Sequence, residues 1–184
     1  MDKQSVMDRL DFAKRRLIDL KELARNGEDL AGAAPKERQQ LIQEFFFHLV
    51  GAIDFLAQVV NTSKTLGIDV EKVTVVEVCR KLNKNNPIKS ILEELHPKTR
   101  GEPIPDDPYS REGCHFRILR YRNRVCHQGH NPFYFSLGPG KPPTSLFLDP
   151  INGSHGGSEK SAISELKQFY DLVYDKCLKV LEEL

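Results

Sequence analysis

Near the C-terminus Ile163, Leu166, Tyr170, Val173, Cys177, Val180 and Leu184 recur at alternating intervals of three and four residues. Only a helix brings such positions to one side, because about 3.6 residues complete its turn. A helix over about Ser158 to Leu184 with a sustained heptad-like seam must be covered by other elements. Its plain role is to close a bundle, and a share of the seam is open to burial against a second subunit.

The same periodicity runs through the N-terminal half. Val6, Leu10, Ala13, Leu17, Leu20 and Ala24 make a one-sided seam over about Lys3 to Arg25, and Asn26-Gly27 ends it. Pro35 suits a first helical turn and opens the longest expected helix, about Pro35 to Lys64. Its apolar face is wide (Leu41, Phe45, Leu49, Ala52, Ile53, Phe55, Leu56, Val59 and Val60), as for a central bundle helix packed on more than one side. His48 falls on that face and reads as a hydrogen-bonded core histidine. Asp54 faces water or counters an arginine from elsewhere. Val70 to Leu82 and Ile88 to Leu95 read as two short helices separated by the Asn83–Pro87 turn. Residues 96–108, rich in proline, form an irregular loop. Beyond Gly129, Phe133–Leu137 and Ser145–Leu148 flank a Gly/Pro turn and predict a small hairpin, followed by a Gly-rich linker at 152–157. The expected architecture is all-α: one domain over 1–184, an antiparallel helical bundle with a β-hairpin insertion at about 130–157.

A chain of 184 residues buries a real core. Its net charge of +1 argues against a protein that coats nucleic acid, yet positive charge is concentrated locally. From Arg111 to Arg124 there are five arginines against one acid, Glu112, as expected for a phosphate-facing site. Four cysteines without paired spacing read as free thiols in a reducing cytoplasm. The N-terminus has no apolar run of a signal peptide, and no segment approaches the apolar length that spans a bilayer. A cytoplasmic protein is the expectation.

The most informative run is Arg120-Tyr121-Arg122-Asn123-Arg124-Val125-Cys126-His127-Gln128-Gly129. It closes a helix expected from near Pro108, with Gly129 and Pro132 as the stop. On that helix Ile118, Leu119, Arg122, Val125 and Cys126 follow the spacing of a core-facing stripe, which sets Arg122 in an apolar face. A guanidinium keeps its charge, so such a residue needs an acid, a bound anion or a wet cleft. A structural ion pair or a subunit interface satisfies that need as well as a ligand does. Zinc is a poor alternative, because Cys114 and Cys126 would lie about 18 Å apart along one helix, and Cys126 with His130 gives only two ligands. A Cys126–His127 nucleophile pair fails because adjacent helical residues diverge by about 100°.

Arg122-Asn123-Arg124-Val125-Cys126-His127, an Arg followed by a polar residue with a His after four intervening positions, resembles the signature of the HEPN superfamily (higher eukaryotes and prokaryotes nucleotide-binding domains). The resemblance covers the helical body, roughly residues 1–129 and 158–184. It implies a metal-independent endoribonuclease without cofactor, with His127 as proton-transfer residue, Arg122 as phosphate clamp and Asn123 as orienter. It also implies a homodimer whose two motifs meet in one cleft. Arg117, Arg120 and Arg124 would then steer the RNA backbone. The alternative is a HEPN-like domain that binds RNA or nucleotide, or serves as a helical scaffold, without cutting. Defence and toxin–antitoxin pairing are the settings at issue, the second with an antitoxin as protein partner. Gly129 stands where one branch has the tyrosine that is silenced by nucleotide transfer, so that regulation is not expected here. One geometric difficulty remains. Five residues along an ideal helix rotate by about 140°, so Arg122 and His127 would not share a face. A long swinging Arg, a loosened helix end or a dimeric cleft would each resolve it, and the cleft is the preferred expectation.

Overall fold

The computed structural model describes residues 2–26, 30, 35–95, 108–109, 113–127, 132–136, 144–149, 151 and 160–184. Among these the chain is mostly helical: α1 (Lys3–Asn26), α2 (Pro35–Ser63), α3 (Val75–Lys81), α4 (Pro87–Leu95), α5 (Cys114–Arg122) and α6 (Ala162–Glu182), with strands β1 (Phe133–Ser136) and β2 (Thr144–Phe147).

The three long helices make the frame. Val6, Leu10, Ala13, Leu17 and Leu20 of α1 are all buried, as their spacing requires. Lys3 Nζ donates to Leu181 O at 2.8 Å and Lys64 Nζ to Glu183 O at 3.1 Å. The start of α1 and the end of α2 therefore both meet the end of α6, so α1 runs antiparallel to α6 while α2 runs with it. Within α2, Lys36–Ser63 has the length and apolar composition to cross a bilayer, which corrects the expectation that no segment approaches that limit. Most of its apolar residues are turned to the core, with Phe45, Phe46, Leu49, Ala52, Leu56 and Val60 fully buried. The seam of α6 is likewise consumed by its own bundle: Leu166, Phe169, Val173, Cys177 and Val180 are fully buried, leaving little of it for a second subunit.

Two helix starts differ from the sequence reading for visible reasons. The expected helix from Val70 is a 3-10 turn (Val70–Lys72) followed by α3, because Thr74 caps the new helix by accepting from Glu77 N at 3.2 Å. Thr74-x-x-Glu77 has the capping-box spacing. The motif helix begins at Cys114 rather than near Pro108, and Pro108–Tyr109 lies in a turn.

The hairpin pairs Phe133 with Phe147 and Ser136 with Thr144 in an antiparallel register. The Gly/Pro turn between its strands and the 152–157 linker lie outside the described residues. One strand face enters the core. Phe147 is fully buried, stacked on Tyr121 at 4.3 Å and in contact with Phe46 and Phe169, while Phe133 covers it at 4.5 Å. The hairpin therefore seals the bundle beside α5. Five elements (α2, α5, α6 and both strands) meet in this aromatic cluster, which fixes where α5 sits.

Candidate functional site

The inward stripe of α5 is Cys114, Arg117, Ile118 and Tyr121, continued by Val125, all buried. The buried arginine of this helix is consequently Arg117 and not Arg122. Arg117 is 1% exposed, and its Nε donates to Glu165 Oε1 of α6 at 2.6 Å. Its Nη1 donates to Pro108 O, and its guanidinium carbon lies 5.5 Å from the ring centres of both Tyr109 and Phe169. The charge of Arg117 is satisfied within the fold, which removes it from the arginines expected to steer an RNA backbone. Beside it, burial and then the carboxylates of Asp149 and Glu165 raise the Tyr109 hydroxyl well above its ordinary value. Tyr121 OH donates to Leu148 O at 2.9 Å, tying α5 to the end of the hairpin.

After Arg122 the helix changes winding. Asn123–His127 form a single π turn, in which the hydrogen-bond step is five residues instead of four. A five-residue step brings Arg122 and His127, five apart, onto one side. Arg122 Nη1 meets His127 Nε2 at 2.5 Å and donates to Asn123 Oδ1 at 3.1 Å. The three motif residues thus form one polar cluster within a single chain. Of the three ways past the rotation problem, the loosened helix end is the one observed, and the dimeric cleft is not needed to bring Arg122 to His127. A guanidinium only donates, so His127 Nε2 is the acceptor and the ring proton sits on Nδ1. Asn123 and His127 are exposed and Arg122 is half-buried, so the cluster opens to solvent. Arg120 is exposed with its guanidinium 5.2 Å from the Phe116 ring centre, and Arg124 is half-buried.

The inner side of the turn is gripped by α2. Gln43 Nε2 donates to Val125 O at 3.0 Å, and Cys126 Sγ lies 3.7 Å from Gln43 O. Neither Gln43 nor Glu165 was picked out by sequence reasoning. Glu165 was detectable as an acid four residues before Phe169 on the buried side of α6. Gln43 carries no such signal.

Burial lifts the thiols of Cys114 to about 11 and Cys177 to about 12, and also raises Cys126; all four cysteines are free. Among the described residues no group of three or more His, Cys, Asp or Glu side chains is placed to hold a metal ion. Asp54 is exposed.

His48 lies apart from the motif, half-buried between α1 and α2. Its Nδ1 accepts from Arg9 Nη1 at 3.1 Å, and its ring stacks on Phe12 at 5.1 Å. Burial, then the positive charge of Arg9, hold its pKa below the ordinary 6.5; Arg16 adds slightly and Glu44 opposes. Since the folded value is depressed, the unfolded chain takes up the proton first as pH falls. Stability tied to neutral His48 is whole above the unfolded value and is lost as pH drops below it. His48→Gln keeps an acceptor for Arg9 and is expected to flatten the fall in urea midpoint between about pH 7.5 and about pH 5.5. Parallel pH dependences in wild type and variant would rule this out.

No protein-family model, curated protein or solved structure matches the chain.

Proposed function

We propose that this helical bundle is a HEPN-like, metal-independent endoribonuclease whose centre is Arg122, Asn123 and His127. The observation that carries the reading is the exposed π turn that joins these three side chains through one guanidinium nitrogen. Transesterification of RNA needs a proton acceptor for the 2′-hydroxyl, charge stabilisation at phosphorus and a proton donor for the departing 5′-oxygen. The O2′–P bond forms as the P–O5′ bond breaks, leaving a 2′,3′-cyclic phosphate and a 5′-hydroxyl. His127 Nε2, which Arg122 Nη1 meets in the free protein, takes the 2′-hydroxyl proton once the guanidinium turns to the phosphate. Arg122, permanently charged and planar, suits a non-bridging phosphate oxygen, and Asn123 orients it.

The test is cleavage of a mixed single-stranded RNA in EDTA. Cyclic-phosphate ends produced by wild type and lost in Arg122→Ala and His127→Ala are the expected result. An inactive wild type would overturn the reading and favour a binding or scaffold role. Arg120 and Arg124 are the remaining candidates to hold the RNA backbone. Each replaced by alanine is expected to weaken RNA binding and lower the slope of log affinity against log salt by about 0.7, the single-strand increment for one phosphate contact. An unchanged slope in filter binding would remove that residue from the interface.

The homodimer belongs to the same proposal, because two proton transfers call for two groups and a second copy supplies a second imidazole. What supports it is Phe47, one turn along α2 from Gln43 and 56% exposed, with Phe12 at 44%. Arg9 lies over the Phe47 and Phe55 rings at 5.1 and 4.8 Å. Exposed aromatics interleaved with arginine are the composition of a protein interface. Sedimentation equilibrium is expected to find a wild-type dimer and a monomeric Phe47→Glu; a wild-type monomer would overturn this part.

A further inference from the structure

We infer that Gln43 is a positioning residue: by holding the π turn open from α2, it keeps His127 against Arg122. As a statement about reaction rate this rests on the proposed ribonuclease; as a statement about geometry it does not.

A helix leaves its last carbonyls without partners inside the helix. Val125 lies near the end of the described helix and is fully buried, so its carbonyl calls for a donor from within the protein. Gln43 supplies it at 3.0 Å. The grip is two-sided, because the next residue, Cys126, directs its thiol to the backbone oxygen of the same Gln43 at 3.7 Å. Residues 125 and 126 are therefore both tied to one position on α2. Ile42 beside it and Phe45 and Phe46 two and three positions on are buried in the core and hold that position. If residues 123–127 rewound as an ordinary α-helix, His127 would stand about 140° around the axis from Arg122 and the 2.5 Å contact between them would be lost. Among the described residues, the side-chain donor that another element sends to this turn's backbone is Gln43 Nε2. That amide donor favours the wider winding over the ordinary one.

The experiment compares Gln43→Met, which keeps length without a donor, Gln43→Glu, which keeps shape but offers only acceptors at neutral pH, and Gln43→Lys, which restores a donor. The first readout is long-range ¹⁵N–¹H correlation of the His127 ring without RNA. Wild type and Gln43→Lys are expected to show the Nδ1–H tautomer with Nε2 accepting, while Gln43→Met and Gln43→Glu lose that signature with an otherwise native amide spectrum. The second readout is cleavage kinetics, with kcat expected to fall on the order of 10²-fold in the Met and Glu variants, KM nearly unchanged, and partial recovery in Gln43→Lys. A wild-type ring signature in both donor-less variants would overturn the inference. So would its loss in all three, because packing rather than the donor would then be responsible. If wild type cleaves no RNA, the ribonuclease reading fails and the ring spectra still decide the clamp. Should Gln43→Met not fold, Gln43→Glu against Gln43→Lys carries the comparison.

Discussion

Glu165→Ala is expected to cost about 3–5 kcal/mol of folding stability, the usual consequence of removing one partner from a buried ion pair. Glu165 and Arg117 are 0% and 1% exposed, and the guanidinium is enclosed by Tyr109 and Phe169 as well as by the carboxylate. Without Glu165 that charge loses its buried carboxylate, and arginine has no neutral form to retreat to. A loss of this size is a large share of the roughly 5–15 kcal/mol that holds a domain together. Urea unfolding measures it. Arg117→Met alone is expected to be damaging too, since it strands the carboxylate. Joining Arg117→Met to Glu165→Leu should recover most of the loss, because the desolvation of both charges disappears with them. A single truncation costing less than about 1 kcal/mol would show that water reaches the pair.

The largest expected effect on activity falls on Arg122 and His127, the pair that the π turn brings together. Loss of the imidazole in His127→Ala is expected to lower kcat for RNA cleavage by about 10²–10⁴-fold, the usual worth of a positioned proton-transfer group. Loss of the phosphate-stabilising charge in Arg122→Ala is expected to lower it by about 10²–10³-fold. The double variant should fall well short of the product of these factors, because the two side chains act as one unit. Both side chains reach solvent, so folding stability should stay within about 0.5 kcal/mol of wild type. Stability therefore separates the two arginine roles: Arg117 variants lose the fold, whereas Arg122 variants keep it and lose the reaction. Undiminished cleavage by His127→Ala would exclude the proposed chemistry.

How far these features could be read from the sequence depends on how local their causes are. The α1 seam from Val6 to Leu20 was legible because one-sided spacing and burial coincide at every step. The hairpin was legible from its aromatic runs and the Gly/Pro turn between them. The stripe of α5 was misphased by one position. Leu119 and Cys126 drew the apolar face towards Arg122, while Tyr121 and Arg117 looked like surface residues. Tyr121 is buried because its ring lies on Phe147 and its hydroxyl has Leu148 O. Arg117 is buried because Glu165 lies forty-eight positions away in sequence and 2.6 Å away in space. The principle that a charge in an apolar stripe needs a counter-charge held, but for the neighbouring turn. The π winding had no local signature at all, since it depends on a donor from α2.

A π turn is a helix that has accommodated one surplus residue, so the winding and the spacing of the motif are a single inherited trait. Positions four apart already share a side on an ordinary α-helix. Dropping one residue between Arg122 and His127 would leave a regular helix able to present the same pair. With four residues between them, the pair meets only while the helix stays underwound at Asn123–His127. Length changes within this stretch and changes at the α2 position that faces it are thus expected to compensate one another, a coupling between an insertion and a point substitution rather than between two substitutions.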